Sequence, residues 1–327
     1  MLRYLIQRIF SLAMILVGVS ILVFLLMKLT PGDPILLILG EEATEADRVR
    51  LTQLYGLDKP LPEQYFIWAG RAVQGDLGDS IRFKQPVLKL ISERIPATME
   101  LAIWSLIIAI VIGVPIGVLA AVKRGSWVDI TTMSAALVGV AAPNFWIGLI
   151  LLAHVALNVD WIPVGSRGPA FSAAITAIFT KFDFSVFWNH FRHMLLPAIT
   201  LGTSIMSLIA RLTRSSLLEV LGRDYVRTAR AKGLKENNVV FRHALRNALL
   251  PVVTVVGVQF GALLGGSIVV EMVFSWPGAG RLIINAISQR DFPIVQGAIL
   301  VLAGVFAVVN LLVDLSYSFI NPRIRYA

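Results

Sequence analysis

The residue types that usually carry catalysis are scarce in this sequence. It contains no cysteine, which excludes both a disulfide framework and a thiolate metal site. None of its four histidines stands in an HExxH pattern, and no GxxxxGK[ST] phosphate-binding loop occurs. His190 and His193 have the i,i+3 spacing of two ligands, but a polar turn at a membrane interface explains them better than a metal site. We therefore predict no catalytic residue, metal or cofactor, and any nucleotide must be handled by a partner.

The residues with the clearest potential for recognition lie between positions 221 and 251. Seven of them are basic, namely Arg223, Arg227, Arg230, Lys232, Lys235, Arg242 and Arg246. Only Asp224 and Glu236 oppose this charge. The segment is the only long polar stretch in the C-terminal two-thirds of an otherwise apolar chain. The pattern is typical of a surface that docks against another protein.

The same stretch predicts two short helices. Asp224 is placed as an N-cap, Tyr225 to Lys232 contains no helix breaker, and Gly233 can supply the left-handed residue that ends a helix. Asn237 or Asn238 would cap the second helix. One face of that helix is apolar and carries Val240, Ala244 and Ala248, joined by Phe241, Leu245 and Leu249. The first helix, with small residues at Ala229 and Ala231, is the candidate docking element.

Two other interpretations of the basic stretch remain open from the residues alone. Loops on the cytoplasmic side of a membrane protein are commonly basic, whatever their function. A basic amphipathic helix can also lie on anionic lipid. Docking to a protein is about as well supported as these two together.

The elements that must position this stretch are membrane-spanning helices. Hydrophobic residues make up 57% of the 327 residues and charged residues only 15%, and apolar runs of about 20 residues recur, each long enough to cross a bilayer. The predicted spans run from Ile9 to Leu29, Ala97 to Val122, Ile130 to Leu157, Met194 to Ala210, Pro251 to Val273 and Ile294 to Phe319. The predicted fold class is an all-α integral membrane protein with six transmembrane helices.

The predicted domains are a first span (1–30), a small extracytoplasmic helical domain (31–95) and a five-helix core (96–327) that includes the segment 211–250. The extracytoplasmic domain should contain one helix from Thr44 to Tyr55 and another from Pro62 to Val73. The proposed inner segments hold fifteen basic residues, against five in the short outer loops 158–193 and 274–293. This imbalance predicts that both termini are cytoplasmic.

Small and polar residues inside the spans suggest further roles. Gly257, Gly261 and Gly265 repeat every four residues, which lets another helix approach closely, either from this chain or from a second subunit. Gly113 and Gly117 do the same on the second span. Asn310 and Asp314 share a face of the sixth span and are candidates for a transport pathway, although Asp314 is close enough to the helix end to snorkel.

Motifs along essentially the whole chain resemble the permease subunits of bacterial ABC peptide importers. The most specific are TRSSLLEVLGRDYVRTARAKGL at 213–234, HALRNALLPVVTVVG at 243–257, FSWPGAGR at 274–281 and NLLVDLSYSFINPRIR at 310–325. The similarity is greatest to the first of two permeases in dipeptide and oligopeptide systems, and among these to dipeptide permeases. The wider importer group has a Glu-Ala-Ala motif followed by Gly, for which this chain has Arg227, Thr228, Ala229 and Gly233, so the Glu is absent.

The resemblance implies a type I ABC importer permease in the bacterial inner membrane. Its partners would be a second, homologous permease, two ABC ATPases, an extracytoplasmic solute-binding protein and membrane lipid, with no nucleic acid. The ATPase-coupling residues that it implies are Asp224, Tyr225, Arg227, Thr228, Ala229, Ala231 and Gly233. The implied cargo is di- or oligopeptides, and related permeases handle nickel chelates, glutathione or sugars.

A stand-alone secondary transporter or channel is the alternative function. It would need charges in several spans and broken helices or inverted repeats, whereas Asp314 is the only clear intramembrane charge in the sequence and no repeat is visible. A membrane-embedded enzyme is less well supported, because no cluster of His, Cys or carboxylate residues lies at membrane depth.

Overall fold

A computed structural model describes residues 2–29, 44, 52 and 58–320. Within these residues the regular structure is helical, apart from one isolated bridge between Asp79 and Pro86. The helices are α1 (Leu2–Leu29), α2 (Leu61–Val73), α3 (Val87–Val122), α4 (Trp127–Ala141), α5 (Asn144–Leu151), α6 (Phe171–Lys181), α7 (Ser185–Leu221), α8 (Asp224–Ala231), α9 (Glu236–Val273), α10 (Ala279–Ser288) and α11 (Phe292–Ile320). The helix predicted from Thr44 to Tyr55 lies outside the described residues, except for Thr44 and Thr52.

Five of these helices, α1, α3, α7, α9 and α11, are long and apolar enough to cross a bilayer. The pair α4 and α5 together satisfies the same test. Counting that pair as one span gives six, which agrees with the number expected from the sequence. All of them extend beyond the minimum of about 20 residues that a span requires.

The third span is not the continuous helix that the sequence predicted from Ile130 to Leu157. The chain bends by 110° between α4 and α5. The reason is Pro143, because a residue that precedes proline is pushed out of the helical region, and Ala142 accordingly has an extended backbone with ψ of 132°. A π-helical turn, Leu152–Ala156, then follows α5.

The fifth span is longer than predicted. It begins at Glu236 rather than Pro251, so the predicted second short helix is its first part, and neither Asn237 nor Asn238 is its N-cap. The residue in that position is Lys235. A π-helical stretch, Val239–Ala244, lies near the start of α9.

The chain divides into two compact units. Of the described residues, the first unit comprises those up to 96 and those from 282 to 311, and the second comprises residues 97–281 and 312–320. In the first unit, buried side chains of α3, α10 and α11 and of the loop before α3 form one core, composed of Leu77, Val87, Ile91, Ile283, Ala286, Ile294 and Ala298. The buried carboxylate of Asp291 accepts hydrogen bonds from the Ser80 hydroxyl (2.5 Å) and the Arg82 backbone N–H (3.0 Å).

In the second unit, two glycines of α3 lie against the backbone of α7. A Cβ on Gly113 would stand 2.7 Å from the carbonyl oxygen of Met206, and one on Gly117 would stand 2.5 Å from that of Ala210. Because only glycine leaves this space free, α3 and α7 approach closely, as the small-residue spacing predicted. The glycines predicted to form a stripe on α9 are not all in close contact with another helix. Gly261 is buried, whereas a Cβ on Gly265 would meet no atom within 4 Å.

Candidate functional site

Helix α8 carries most of the predicted docking residues. It runs from Asp224 to Ala231, and its N-cap is Arg223, so the prediction that Asp224 is the N-cap was wrong by one residue. Asp224 instead occupies the first turn, where a negative charge favours the positive end of the helix dipole. Gly233 has a φ of +76°, which confirms the left-handed conformation expected of the residue that ends this helix.

One face of α8 is buried in a hydrophobic core of the second unit. Val226 and Ala229 are 0% and 8% exposed, and both pack in a cluster with side chains from α3, α7 and α9. The other buried members of that cluster are Val118, Ala121, Leu217, Val239, Val240, Ala244 and Ala248. Ala229 is therefore small because it is covered by this chain. It cannot belong to the surface that the helix offers to a partner.

The opposite face of α8 is accessible. The remaining predicted docking residues, Asp224, Tyr225, Arg227, Thr228, Ala231 and Gly233, are all exposed. Arg227 stands 3.6 Å from the carboxylate of Asp224, and the Tyr225 hydroxyl accepts a hydrogen bond of 2.8 Å from the Asn247 side chain on α9. The exposed face thus combines two charges of opposite sign, an aromatic ring and small residues.

An ion pair links the end of α8 to the start of α9. Arg230 donates to the two carboxylate oxygens of Glu236 at 3.1 Å and 2.6 Å. This hydrogen bonding raises the pKa of Arg230 above its ordinary value. The pair spans the turn at Gly233, but both side chains are more than 40% exposed, so it contributes little to holding α8 against α9.

The apolar face predicted for residues 240–249 is confirmed in part. Val240, Ala244 and Ala248 are buried together. Phe241 was expected to join them, but it is 59% exposed, and Val239 is buried instead. The cause is the π-helical stretch, whose wider turn shifts the side chains relative to the α-helical spacing on which the prediction rested.

The comparisons with known proteins identify the family. Residues 113–326 match the family of binding-protein-dependent transport system inner membrane components, and residues 1–102 match the N-terminal family of the same components. The chain belongs to this family. It is an inner-membrane permease subunit of an ABC importer, a class of transporter that works with ATPase subunits and a solute-binding protein.

Several permeases match over their whole length. The dipeptide transport system permease protein of Alkalihalophilus pseudofirmus is 44% identical, with 100% of both chains covered. The oligopeptide transport system permease protein of Bacillus subtilis and the glutathione transport system permease protein of Pectobacterium atrosepticum are each 42% identical, again with 100% of both chains covered. The permease described here is therefore comparable to these proteins from end to end.

Two buried carboxylates inside the spans of this permease contradict the prediction that Asp314 is the only clear intramembrane charge. Glu100 on α3 and Glu271 on α9 are 8% and 0% exposed. Both lie within the predicted apolar runs, and that position was the signal that could have revealed them. Asn310 and Asp314 both lie on α11 and are half-buried, and their part in a pathway stays a prediction.

Glu271 is surrounded by donors from its own unit. Its carboxylate accepts hydrogen bonds from the hydroxyls of Thr98 (2.7 Å) and Ser267 (3.1 Å) and from the backbone N–H of Arg281 (2.9 Å). A Cβ on Gly278 would lie 2.3 Å from this carboxyl group. The WPGAGR segment at 276–281, which leads into the first turn of α10, therefore lies close against Glu271, and glycine is required at 278 and 280 by the close approach.

Glu100 fixes the segment between α5 and α7 in a similar way. It accepts hydrogen bonds from Arg167 Nε (2.7 Å) and from the backbone N–H of Phe171 (2.6 Å). The buried His190 has its Nε2 3.6 Å from Glu100 and its Nδ1 2.9 Å from the carbonyl oxygen of Pro169. His193 directs its Nδ1 to the carbonyl oxygen of Asn189 (2.7 Å). The two histidines therefore each contact the backbone through one ring nitrogen.

Proposed function

We propose that this permease translocates short peptides and that α8 is the helix through which partner ATPases drive it. ATP-driven closure of the ATPases would move α8 and the core beneath it as one body. That motion would switch the spans between inward and outward openings. The chain itself would carry out no catalysis, since hydrolysis would take place in the ATPases.

The observation that carries this proposal is the division of α8 into two faces. The face with Val226 and Ala229 is buried against α3, α7 and α9, so a force on the helix reaches three spans directly. The face with Tyr225, Arg227 and Thr228 is exposed and available to a partner. A helix that only rested on lipid would direct its apolar side chains outwards, whereas the outer face of α8 is polar apart from Tyr225 and Ala231.

The proposed assembly contains this chain, a second homologous permease, two ATPases and an extracytoplasmic solute-binding protein. Both termini and α8 would be cytoplasmic, in agreement with the excess of basic residues in those segments. The peptide cargo is supported by the names of the dipeptide and oligopeptide permeases to which the chain is similar. The glutathione permease among the relatives makes that tripeptide the first alternative cargo to test.

A single-cysteine experiment tests the docking of α8. The sequence has no cysteine, so Thr228→Cys creates a unique attachment point on the exposed face. In the complex purified with its ATPases, a short bifunctional reagent should join this position to an ATPase subunit. Thr176→Cys is the matched control, because Thr176 is also exposed on a helix and also donates its hydroxyl to the carbonyl four residues earlier.

Cross-linking at position 228 but not at 176 supports the assignment. If position 228 joins no ATPase while the intact complex is present, the docking surface lies elsewhere. A further variant, Thr228→Trp, should release the ATPases during purification because its bulk fills the contact, and Thr176→Trp should leave them bound.

Stand-alone secondary transport is the second candidate function. Two features of the structure that were not predicted from the sequence favour it. The third span is broken, and Glu100 and Glu271 are carboxylates at buried positions in spans. However, both carboxylates are already occupied by hydroxyl, guanidinium or backbone donors of this chain, which leaves little capacity to carry an ion. Uptake by liposomes that contain only this chain would establish the second candidate in place of the first.

A further inference from the structure

An ion pair joins α7, against which α8 is packed, to the start of α4. Arg214 on α7 donates to Asp129 on α4 through Nε (2.5 Å) and Nη2 (2.7 Å). Asp129 also accepts a hydrogen bond of 3.0 Å from the backbone N–H of Gly125. The Asp129 side chain is 6% exposed and that of Arg214 is 28% exposed, so the pair is largely shielded from water.

The pair is placed at the base of α8. Arg214 lies two turns before the end of α7, and Leu217, one turn further on, is a member of the cluster that buries Val226 and Ala229. Asp129 is in the first turn of α4, and Gly125 lies in the turn that connects α4 to α3. The last residues of α3 include two more members of that cluster, Val118 and Ala121. The ion pair therefore joins α7 to the start of α4 and, through Gly125, to the turn after α3, beside the core that supports α8.

Its geometry makes this joint stiff. A guanidinium that binds a carboxylate through two parallel N–H groups fixes both distance and orientation, which a single contact does not. The third hydrogen bond, from Gly125, anchors the carboxylate to the turn itself. Ser126 adds a further constraint, since its hydroxyl accepts a hydrogen bond from the Asp129 backbone N–H and so caps α4.

We propose that Asp129 and Arg214 are a positioning pair that transmits the movement of α8 to the spans. This inference rests on the proposed function, in which α8 receives the force from the ATPases. When the joint is intact, displacement of α8 carries α4 along with α7. When the joint is broken, α8 and α7 can move with the ATPases while α4 no longer follows, so hydrolysis continues and translocation fails.

The test uses the complete transporter, reconstituted in liposomes with its partner permease, ATPases and binding protein. ATP hydrolysis and uptake of a labelled dipeptide are measured together for Asp129→Asn and Arg214→Gln. We expect hydrolysis to be retained and the number of peptides moved per ATP to fall several-fold. Arg214→Lys keeps the charge but loses the paired donors, so its ratio should lie between those of the unmodified protein and Arg214→Gln.

Lys59→Gln is the matched control, because Lys59 forms an ion pair with Glu63 (2.7 Å) in which both side chains are more than 40% exposed. Such exposed pairs contribute little, and the transport ratio should be unchanged. The proposal is overturned if the Asp129 and Arg214 variants keep the normal ratio. It is also overturned if hydrolysis and uptake fall in parallel, which would indicate a merely structural role.

Two readouts separate this inference from the proposed function. If Thr228→Trp releases the ATPases but the Arg214 variants couple normally, α8 docks as proposed and only the positioning role is wrong. If Thr228→Trp leaves the ATPases bound, the docking assignment itself fails. If the Arg214 variants retain the ATPases during purification, the variants have folded. If Arg214→Gln and Asp129→Asn do not assemble, the number of peptides moved per ATP by Arg214→Lys, the mildest change, tests the positioning role.

Discussion

At the scale of single residues, Gly233 and Ala229 show why two small residues of one motif have different tasks. Gly233 is exposed, and its φ of +76° favours glycine because a residue with a Cβ is strained in this conformation. Ala229 lies in the core beneath α8 and is limited by volume. Enlarging Ala229 would therefore disturb the support of α8, and would not test the surface that faces a partner.

Replacement of Gly233 by valine tests the importance of the helix end. A branched side chain in the left-handed region should cost roughly 1–2 kcal/mol, and this strain comes from the backbone alone because no atom lies within 4 Å of the added Cβ. We expect the variant to move fewer peptides per ATP in reconstituted liposomes. Gly233→Asn is the control, since asparagine adopts this conformation more readily, and equal loss in both variants would contradict the explanation.

At the scale of helices, glycine residues set how closely neighbouring helices pack. Gly113 and Gly117 bring α3 against the backbone of α7. The break between α4 and α5 has an equally local cause in Pro143. These contacts matter for function because α3 and α7 both support α8.

The contact at Gly117 predicts opposite effects for the same substitution at two sites. Gly117→Ala should lower the thermal midpoint of the purified chain, because its Cβ would stand 2.5 Å from the Ala210 carbonyl oxygen and the helices would have to separate. Gly70→Ala on α2 should leave it unchanged or raise it, since that position is exposed with no atom within 4 Å, and alanine favours a helix by about 1 kcal/mol. Thermal unfolding in detergent measures both, and a stable Gly117→Ala protein would show that the helices are not in close contact.

At the scale of the whole molecule, the unequal distribution of basic residues predicts the orientation in the membrane. Nine of the 29 lysines and arginines lie between residues 211 and 248. Charged loops of this kind remain on the cytoplasmic side during insertion. In the proposed orientation, α8 would face the ATPases and the segment between α5 and α7 would lie on the outer side of the membrane.

Cysteine labelling measures this orientation directly. In intact cells, a maleimide that cannot cross the membrane should label Thr176→Cys and should reach Lys232→Cys only after the cells are permeabilised. The sequence contributes no other thiol, and both positions are exposed. Labelling of Lys232→Cys from outside the cell would reverse the topology and remove α8 from the ATPases.

The sequence by itself determined the features that depend on neighbouring residues. Apolar runs of the length of a bilayer predicted six spans, and Gly233 predicted the end of α8, because a turn of helix needs only local information. The motifs at 213–234 and 274–281 were sufficient to indicate the family.

Only the tertiary structure decided which faces are covered and which groups meet. Ala229 and Ala231 are the same residue type two positions apart, yet one packs on α3 and the other is exposed. Thr98 and Glu271, separated by 173 positions, form a hydrogen bond in the core. Asp129 and Arg214, separated by 85 positions, form an ion pair. Such pairings arise when helices pack, and burial makes them strong because water no longer competes for the same groups.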